Sequence, residues 1–461
     1  MQTLEKKPYR SLLYGKFYLL FVFLIFIQCK SDLMYDGPES YITPKSDGLY
    51  DAFTEHFNSE SKEKLDELYT VLPAEAAEIA VKSLEYQSNS SQKREGYQVE
   101  SIRRIGDETG ETLVYIIQFI EGGYSLISAD KRYFPVLTES GTGFWGRADT
   151  LGGIRDWLQM IKSEIAYVKA KYKVPHPNAA YGWGMYEYHE EKSESQRNNS
   201  WECGFHNTSQ YGSYIKPIAE WNQGGSLQYF TPVDGGCTCG NKPAGCGPIA
   251  MGMIMRYHQY PKMSMSFNGY SMYTDYNAMP HVNSEFCSLP DYGDMNAALL
   301  VRLAGNAASA GYGILGSCDT YTLPWNLSSG FSNLFYSSGG TLGSYSSKFS
   351  TMKTDLKAGY PVIYVGTTGT LNFSNAHIWV GDGLKETYGT YGYEHPIEDM
   401  DPTILYYYDP DTGCMNYHYH YVSFVWGWES TGINDWYYAG ELLGYFNNYD
   451  TYLHILTGIR P

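Results

Sequence analysis

The chain has 461 residues, with 50 acidic against 33 basic side chains and a net charge of −17. That excess of negative charge argues against nucleic acid or an anionic membrane surface as a partner. The length leaves room for two domains, or for one large domain preceded by an N-terminal segment.

Lys6, Lys7, Arg10 and Lys16 precede an apolar run from Phe17 to Ile27. That run is roughly half the length needed to cross a bilayer as a helix, and it suits the apolar region of a signal peptide. Residues 1–28 therefore read as a signal peptide, and the chain as exported. Cys29 follows directly, which suggests lipoprotein processing with Cys29 as the lipidated N-terminus. Phe26, Ile27 and Gln28 fit poorly the small residues preferred before a cleavage site, so ordinary cleavage nearby is the alternative. The expected location is then an outer-membrane or cell-surface lipoprotein, or a secreted or periplasmic protein. Contact with a membrane is expected only through a lipid on Cys29.

Further along, Pro73 to Tyr86 has Ala76, Ile79, Ala80 and Leu84 at helical spacing. Leu113 to Ile120 and Tyr124 to Ser128 read as strands. Ile154 to Val168 is a long amphipathic helix with Ile154, Trp157, Leu158, Ile161 and Ile165 on one stripe. Glu190 to Ser200 is polar and charged, as an exposed, cuttable linker would be.

Glu220-Trp221-Asn222-Gln223-Gly224 comes next, and the Gln223 amide could donate to an oxygen that turns negative during a reaction. Cys237-Thr238-Cys239, Cys203, Cys287, Cys318 and Cys414 allow 15 complete disulfide pairings. A disulfide near the nucleophile loop that leads into Cys246 is expected in an oxidising compartment. Gly245-Cys246-Gly247-Pro248 opens a helix whose apolar face is Ile249, Ala250, Met253, Ile254 and Tyr257. Pro248 is tolerated in the first turn. A cysteine at a helix N-terminus feels the positive end of the macrodipole, which favours the nucleophilic thiolate. Leu299 to Gly311 reads as another helix. Gly359 to Val365 reads as a buried strand, and His377 opens a second, short apolar run that should end in a turn at Gly381-Asp382-Gly383. The two should pair antiparallel, with His377 as a base far from Cys246 in sequence but close in space. Val425-Trp426-Gly427-Trp428 supplies two core or platform tryptophans.

Glutamine, cysteine, histidine and the tryptophan pair, in that order, resemble the streptopain family of bacterial cysteine peptidases, within the papain-like clan. The resemblance spans about residues 70 to 455. It rests on Gly245, Cys246, Ile254, Met255, Tyr257, Tyr260 and Pro261, on His377, Trp379, Val380, Asp382 and Gly383, on Trp426, Gly427 and Trp428, and on Trp221 and Gln223. Tyr312-Gly313-Ile314-Leu315-Gly316-Ser317 is a further, weaker point of likeness. Residues 122–137 resemble the family's inhibitory prosegment. Three departures stand out. Val425 replaces the asparagine before Trp-Gly-Trp, Met253 replaces a glutamine in the nucleophile helix, and Ala376 replaces the glycine before the histidine.

The resemblance implies an α+β chain: a papain-like fold of a helical part plus an antiparallel sheet, preceded by a small α+β prodomain. The implied division is a prosegment and linker over residues 29–200 and a catalytic domain over residues 201–461. It implies a cysteine endopeptidase made as a zymogen, with protein or peptide substrates and its own prosegment as intramolecular inhibitor. Cys246 would be the nucleophile and His377 the base and acid, as a thiolate–imidazolium pair. The Cys246 N–H and Gln223 would hold the oxyanion, and Trp426 and Trp428 would shield or orient His377. No metal and no cofactor is needed. Valine cannot hydrogen-bond through its side chain, so His377 should be held by a backbone carbonyl, by stacking on Trp426, or loosely. Val425 also leaves open a catalytically weak or inactive secreted protein that keeps the fold and binds peptide or glycan. A free peptidase inhibitor is the remaining alternative, disfavoured because the catalytic segments follow on the same chain.

Overall fold

The computed structural model describes residues 62–88, 96–187, 203, 206–212, 218–287, 289–313, 317–366, 376–392, 408–409, 413–428, 433–440 and 453–461. The expected signal peptide, Cys29 and the 190–200 linker lie outside these residues. Helices α1 (Lys62–Tyr69) and α2 (Pro73–Ser88) lead into the meander β1 (Val99–Gly106), β2 (Thr112–Phe119), β3 (Tyr124–Ser128) and β4 (Val136–Ser140). Helices α3 (Ile154–Lys171) and α4 (Pro177–Glu187) follow, then β5 (His206–Gly212). The nucleophile helix is α5 (Cys246–His258). After it come the hairpin β6 (Ser264–Phe267) and β7 (Tyr270–Tyr273), α6 (Tyr292–Ala307), and the short pair β8 (Gly311–Tyr312) and β9 (Thr320–Tyr321). Next are α7 (Pro324–Asn333), β10 (Ser338–Ser344), α8 (Tyr345–Lys357), β11 (Val362–Gly366) and β12 (His377–Tyr391). The chain finishes with β13 (Tyr408–Asp409), β14 (Cys414–Val425), β15 (Trp436–Tyr438) and β16 (Leu453–Arg460).

This is the mixed helical and antiparallel architecture that the sequence suggests. One 12-stranded sheet runs β1-β2-β3-β4-β15-β14-β12-β11-β16-β10, with β13 on β14 and β5 on β12. The two halves of the chain share it, because β4 pairs with β15 at Thr138 and Tyr437. The expected turn after the His377 segment is instead a bulge. Strand β12 continues to Tyr391, with a register shift between Gly381 and Gly383 against β14. There its other neighbour changes from β11 to β5. A bulge bends a strand without ending its pairing, and the two glycines admit Tyr364 and Trp436 against the backbone.

Alternation of side chains along each strand sends residues into two separate cores. Val362, Tyr364, Trp379, Phe424 and Trp426 join one core. Ile363, Val365, Ile378, Val380 and Val425 join the other, with Cys246, Ile249, Met253 and Ile254 of α5. Because both faces are covered, β11 and the start of β12 read as unbroken apolar runs. The first core also takes Val114, Ile116 and Leu126 of the meander, and Ile154, Trp157, Leu158, Ile161 and Ile165 of α3. A third cluster packs α2 and Trp183 of α4 on the meander's other face. The N-terminal segment is thus built into the sheet and core of the C-terminal half, rather than held beside it by a tether alone.

Three disulfides, Cys203–Cys414, Cys237–Cys318 and Cys239–Cys287, leave Cys246 free. Two of them anchor the Cys-Thr-Cys loop just before the nucleophile helix, where a disulfide was expected. Trp157 links the halves directly. Its indole N–H donates to the Tyr438 carbonyl at 3.0 Å, and its ring meets Tyr437 edge-on at 4.9 Å. Trp157→Ala should cost about 3–5 kcal/mol, read as a fall in the denaturant midpoint of the full chain.

Candidate active site

Cys246 starts α5 because Gly245 takes φ 91°, a left-handed conformation that L side chains rarely adopt. A methyl on Gly245 would also meet Thr320. Every residue from Cys246 to Met255 is buried, so the helix is held by packing over its whole circumference. The loop carrying Gln223 lies alongside. Its carbonyl accepts the Ala244 N–H at 2.8 Å, two residues before the thiol, and Asn222 is fixed to Asn283. Gln223 is half-buried. On the sheet side, the Cys246 sulfur receives the backbone N–H of Ile378 and of Gly247.

The imidazole of His377 is one residue away on the same strand but is turned into the other layer. It stacks on Trp428, with ring centroids 4.4 Å apart at 15°, and more distantly on Trp379. Its Nε2–H donates to the Trp426 carbonyl at 2.6 Å. A carbonyl only accepts, so Nε2 carries a proton and Nδ1 is the atom left to act as a base. This supplies the orientation that the Val425 side chain cannot. The holder is the backbone carbonyl of Trp426, and the stacking partner is Trp428 rather than Trp426. Trp426 is set in turn by Asn434, whose Oδ1 accepts the Trp426 N–H at 3.0 Å while its amide donates to Glu220 at 3.1 Å.

The expected ion pair is absent from this arrangement. No hydrogen bond joins the Cys246 sulfur to His377 among the described residues, and both groups are held neutral. Burial pushes the thiol up to about 11 from an ordinary value of 9.0, despite the backbone N–H groups aimed at it. That difference is worth about 3 kcal/mol against ionisation, whereas a helix terminus supplies only ~0.3–1 kcal/mol in favour. Burial wins over the macrodipole. His377 is lowered to about 4, chiefly by burial, with Arg155 adding to the effect and the Trp426 bond opposing it.

The imidazole is held on its own side of the sheet by the tip of α3, which the residue pattern did not single out. Gly152 and Gly153 lie directly on the imidazole. A methyl on Gly153 would stand 2.7 Å from His377 Cδ2 and 3.0 Å from both Trp379 and Trp426, and Gly153 has φ 72°. The Gly152 carbonyl accepts the Trp428 indole N–H at 3.2 Å. Asp156 is buried in the first turn, its carboxyl raised by burial, and faces Gly366, the β11 residue paired with His377. The paired glycines ahead of a strong helix were the available signal. Only glycine lets a backbone approach a ring this closely.

The neutral thiol has a kinetic signature. In the intact chain, alkylation of Cys246 should be slow at pH 7 and rise with thiolate fraction toward about pH 11. Mass spectrometry after iodoacetamide pulses checks this. A plateau already reached below pH 8 would show a thiolate present at neutral pH.

Among curated proteins, none matches this chain. Solved structures do match, and two of them are described by name. One is a prointerpain A fragment from Prevotella intermedia, at 15% identity, covering 79% of this chain and 99% of that chain, with TM-score 0.49. The other is active wild-type interpain A cysteine protease from Prevotella intermedia, at 17% identity, covering 55% of this chain and 96% of that chain, with TM-score 0.33. Residues 221–438, from Trp221 beside Gln223 to the end of β15, the stretch that holds Cys246 and His377, match the model of the Peptidase C10 family.

Proposed function

We propose that the chain is an exported cysteine endopeptidase made in a latent form, with Cys246 as nucleophile and His377 as its base and acid. The observation that carries this is the free Cys246 at the head of a buried helix, one backbone unit from a histidine whose tautomer leaves Nδ1 free to accept a proton. In the active form the imidazole turns toward the sulfur, Nδ1 takes the thiol proton, and the resulting thiolate attacks a peptide carbonyl. The Cys246 N–H and the Gln223 amide hold the oxyanion, each worth roughly 3 kcal/mol. His377 then protonates the leaving amine, and water releases the acyl-enzyme. Trp428 keeps one face of the imidazole dry. The reading of an inactive binding protein rested on Val425, and the Trp426 carbonyl removes that motive.

Latency follows from the tip of α3. With Gly152 and Gly153 on the ring, His377 has no room to turn toward the thiol, and the thiol, buried in the second core, stays protonated without a base beside it. We assign residues 29–200 to the prosegment and linker and residues 201–461 to the catalytic domain. The disulfide at Cys203 and the pairing of β5 from His206 favour a cut before residue 203, so that both stay with the catalytic part. Three disulfides suit an oxidising compartment, which supports export and, with it, a signal peptide and lipidation at Cys29.

The test is peptide hydrolysis by the full chain before and after limited proteolysis within residues 188–202. The intact chain should be nearly inactive and the cut chain active, while Cys246→Ala should be inactive in both forms with unchanged circular dichroism. Activity of the cut Cys246→Ala protein at the wild-type rate would end the nucleophile assignment. Equal activity of intact and cut wild type would end the latency assignment alone.

A further inference from the structure

We propose that Glu386, His418 and His420 form a binding site for a divalent cation of the zinc class, separate from the peptidase centre. His418 and His420 are two residues apart on β14 and so lie on one side of it. Glu386 of β12 stands opposite His420 in register, and Tyr388 opposite His418. Both Nε2 atoms converge on one carboxylate oxygen, Oε1 of Glu386, at 3.1 Å from His418 and 3.0 Å from His420. The three ligand atoms lie within 4.8 Å of one another. Around a tetrahedral zinc with bonds of about 2.0–2.1 Å, neighbouring ligand atoms sit about 3.3 Å apart. The two short edges already have nearly that length.

Hydrogen bonding among protein groups alone leaves a conflict at His420. Its Nε2 faces Glu386 Oε1 at 3.0 Å and the Lys353 ammonium at 3.4 Å. One ring nitrogen cannot donate to the carboxylate and accept from the ammonium at once. A cation bound by the lone pairs of both Nε2 atoms and of Oε1 satisfies all three ligands. Lys357 holds the other oxygen, Oε2, at 2.7 Å, which fixes the carboxylate with Oε1 toward the histidines. The Lys353 ammonium lies over the Phe349 ring at 5.1 Å, on a flexible stem that can swing away as the ion enters.

Two imidazoles and one carboxylate are a zinc donor set, whereas calcium and magnesium take oxygen ligands. Glu386 and His420 are buried, and the His418 side chain is 44% exposed, so solvent reaches the fourth position. The site is nine residues along β12 from His377, roughly 30 Å of extended strand. All three ligands follow the linker and would remain after cleavage. An ion here would brace β12 against β14 where the N-terminal segment docks. At that point Asn178 of α4 both accepts the His418 N–H at 2.8 Å and donates to its carbonyl at 2.6 Å.

The experiment uses the untagged full chain carrying Cys246→Ala, so that the reactive thiol does not compete. After chelator dialysis it is titrated with zinc chloride by calorimetry and with cobalt chloride by visible absorption. Expected are a zinc equivalent, the intense d–d bands of four-coordinate cobalt, and a loss of at least about tenfold in zinc affinity in His418→Asn and in Glu386→Gln. His418→Asn changes a half-exposed side chain, and the cobalt spectrum of the parent decides without any variant. Six-coordinate aqueous cobalt only, or zinc bound as tightly by His418→Asn, would overturn the proposal and leave an ion-paired cluster with Lys353 and Lys357.

Discussion

The constraint on which the rest depends is the strict alternation of side chains across a sheet whose two faces are both buried. At the start of β12 it assigns His377 and Trp379 to one layer and Ile378 and Val380 to the other. On β14 and just beyond, Phe424 and Trp426 go to the first layer and Val425 to the second, the layer that holds the thiol. A slip of one residue would exchange these sets. The thiol and the imidazole are therefore adjacent through the backbone of Ile378, yet the one is packed with α5 and the other with α3. His377 is the first residue of its strand, so its side chain alone stands where it could change layers.

Burial sets the chemistry of this state. A thiol at a helix start is usually read as an activated thiol, but the macrodipole is too small to offset the desolvation of a sulfur buried between α5 and Ile378. The imidazole is likewise neutral, with Arg155 and the α3 N-terminus both disfavouring a positive charge. The imidazole cannot charge until the first core is opened, and that core is shared with the N-terminal segment through β4, β15 and Trp157. In the proposed latent form, the covering of His377 and the suppression of its charge are one physical arrangement.

Much of this was legible from residue order. The apolar periodicities of α2, α3 and α5 and the antiparallel pair β11–β12 follow from patterns of 3.6 and 2, whereas the sequence pointed to a Cys246–His377 ion pair and not to their division between two layers. The continuation of β12 was not legible. Gly381-Asp382-Gly383 has the composition of a turn, and only the exchange of β11 for β5 as neighbour makes it a bulge. The holder of His377 was narrowed to a backbone carbonyl or stacking, since Val425 excludes a side chain, but which carbonyl depends on the Asn434 contact eight residues away. The role of Gly152 and Gly153 was hidden because glycines before a helix look like an ordinary cap. The joint sheet was hidden because strand partners distant in sequence leave no local signal.

The most direct test of the account is the protonation of His377, followed by nitrogen-15 NMR of histidine-labelled protein. In the intact chain the account gives a neutral ring protonated at Nε2, charging only near pH 4. After cleavage of the linker and loss of the N-terminal segment, the ring should be an imidazolium at neutral pH, and should lose that charge when Cys246 is replaced by alanine. A ring that remains neutral after cleavage, or one already charged at pH 7 in the intact chain, would contradict it.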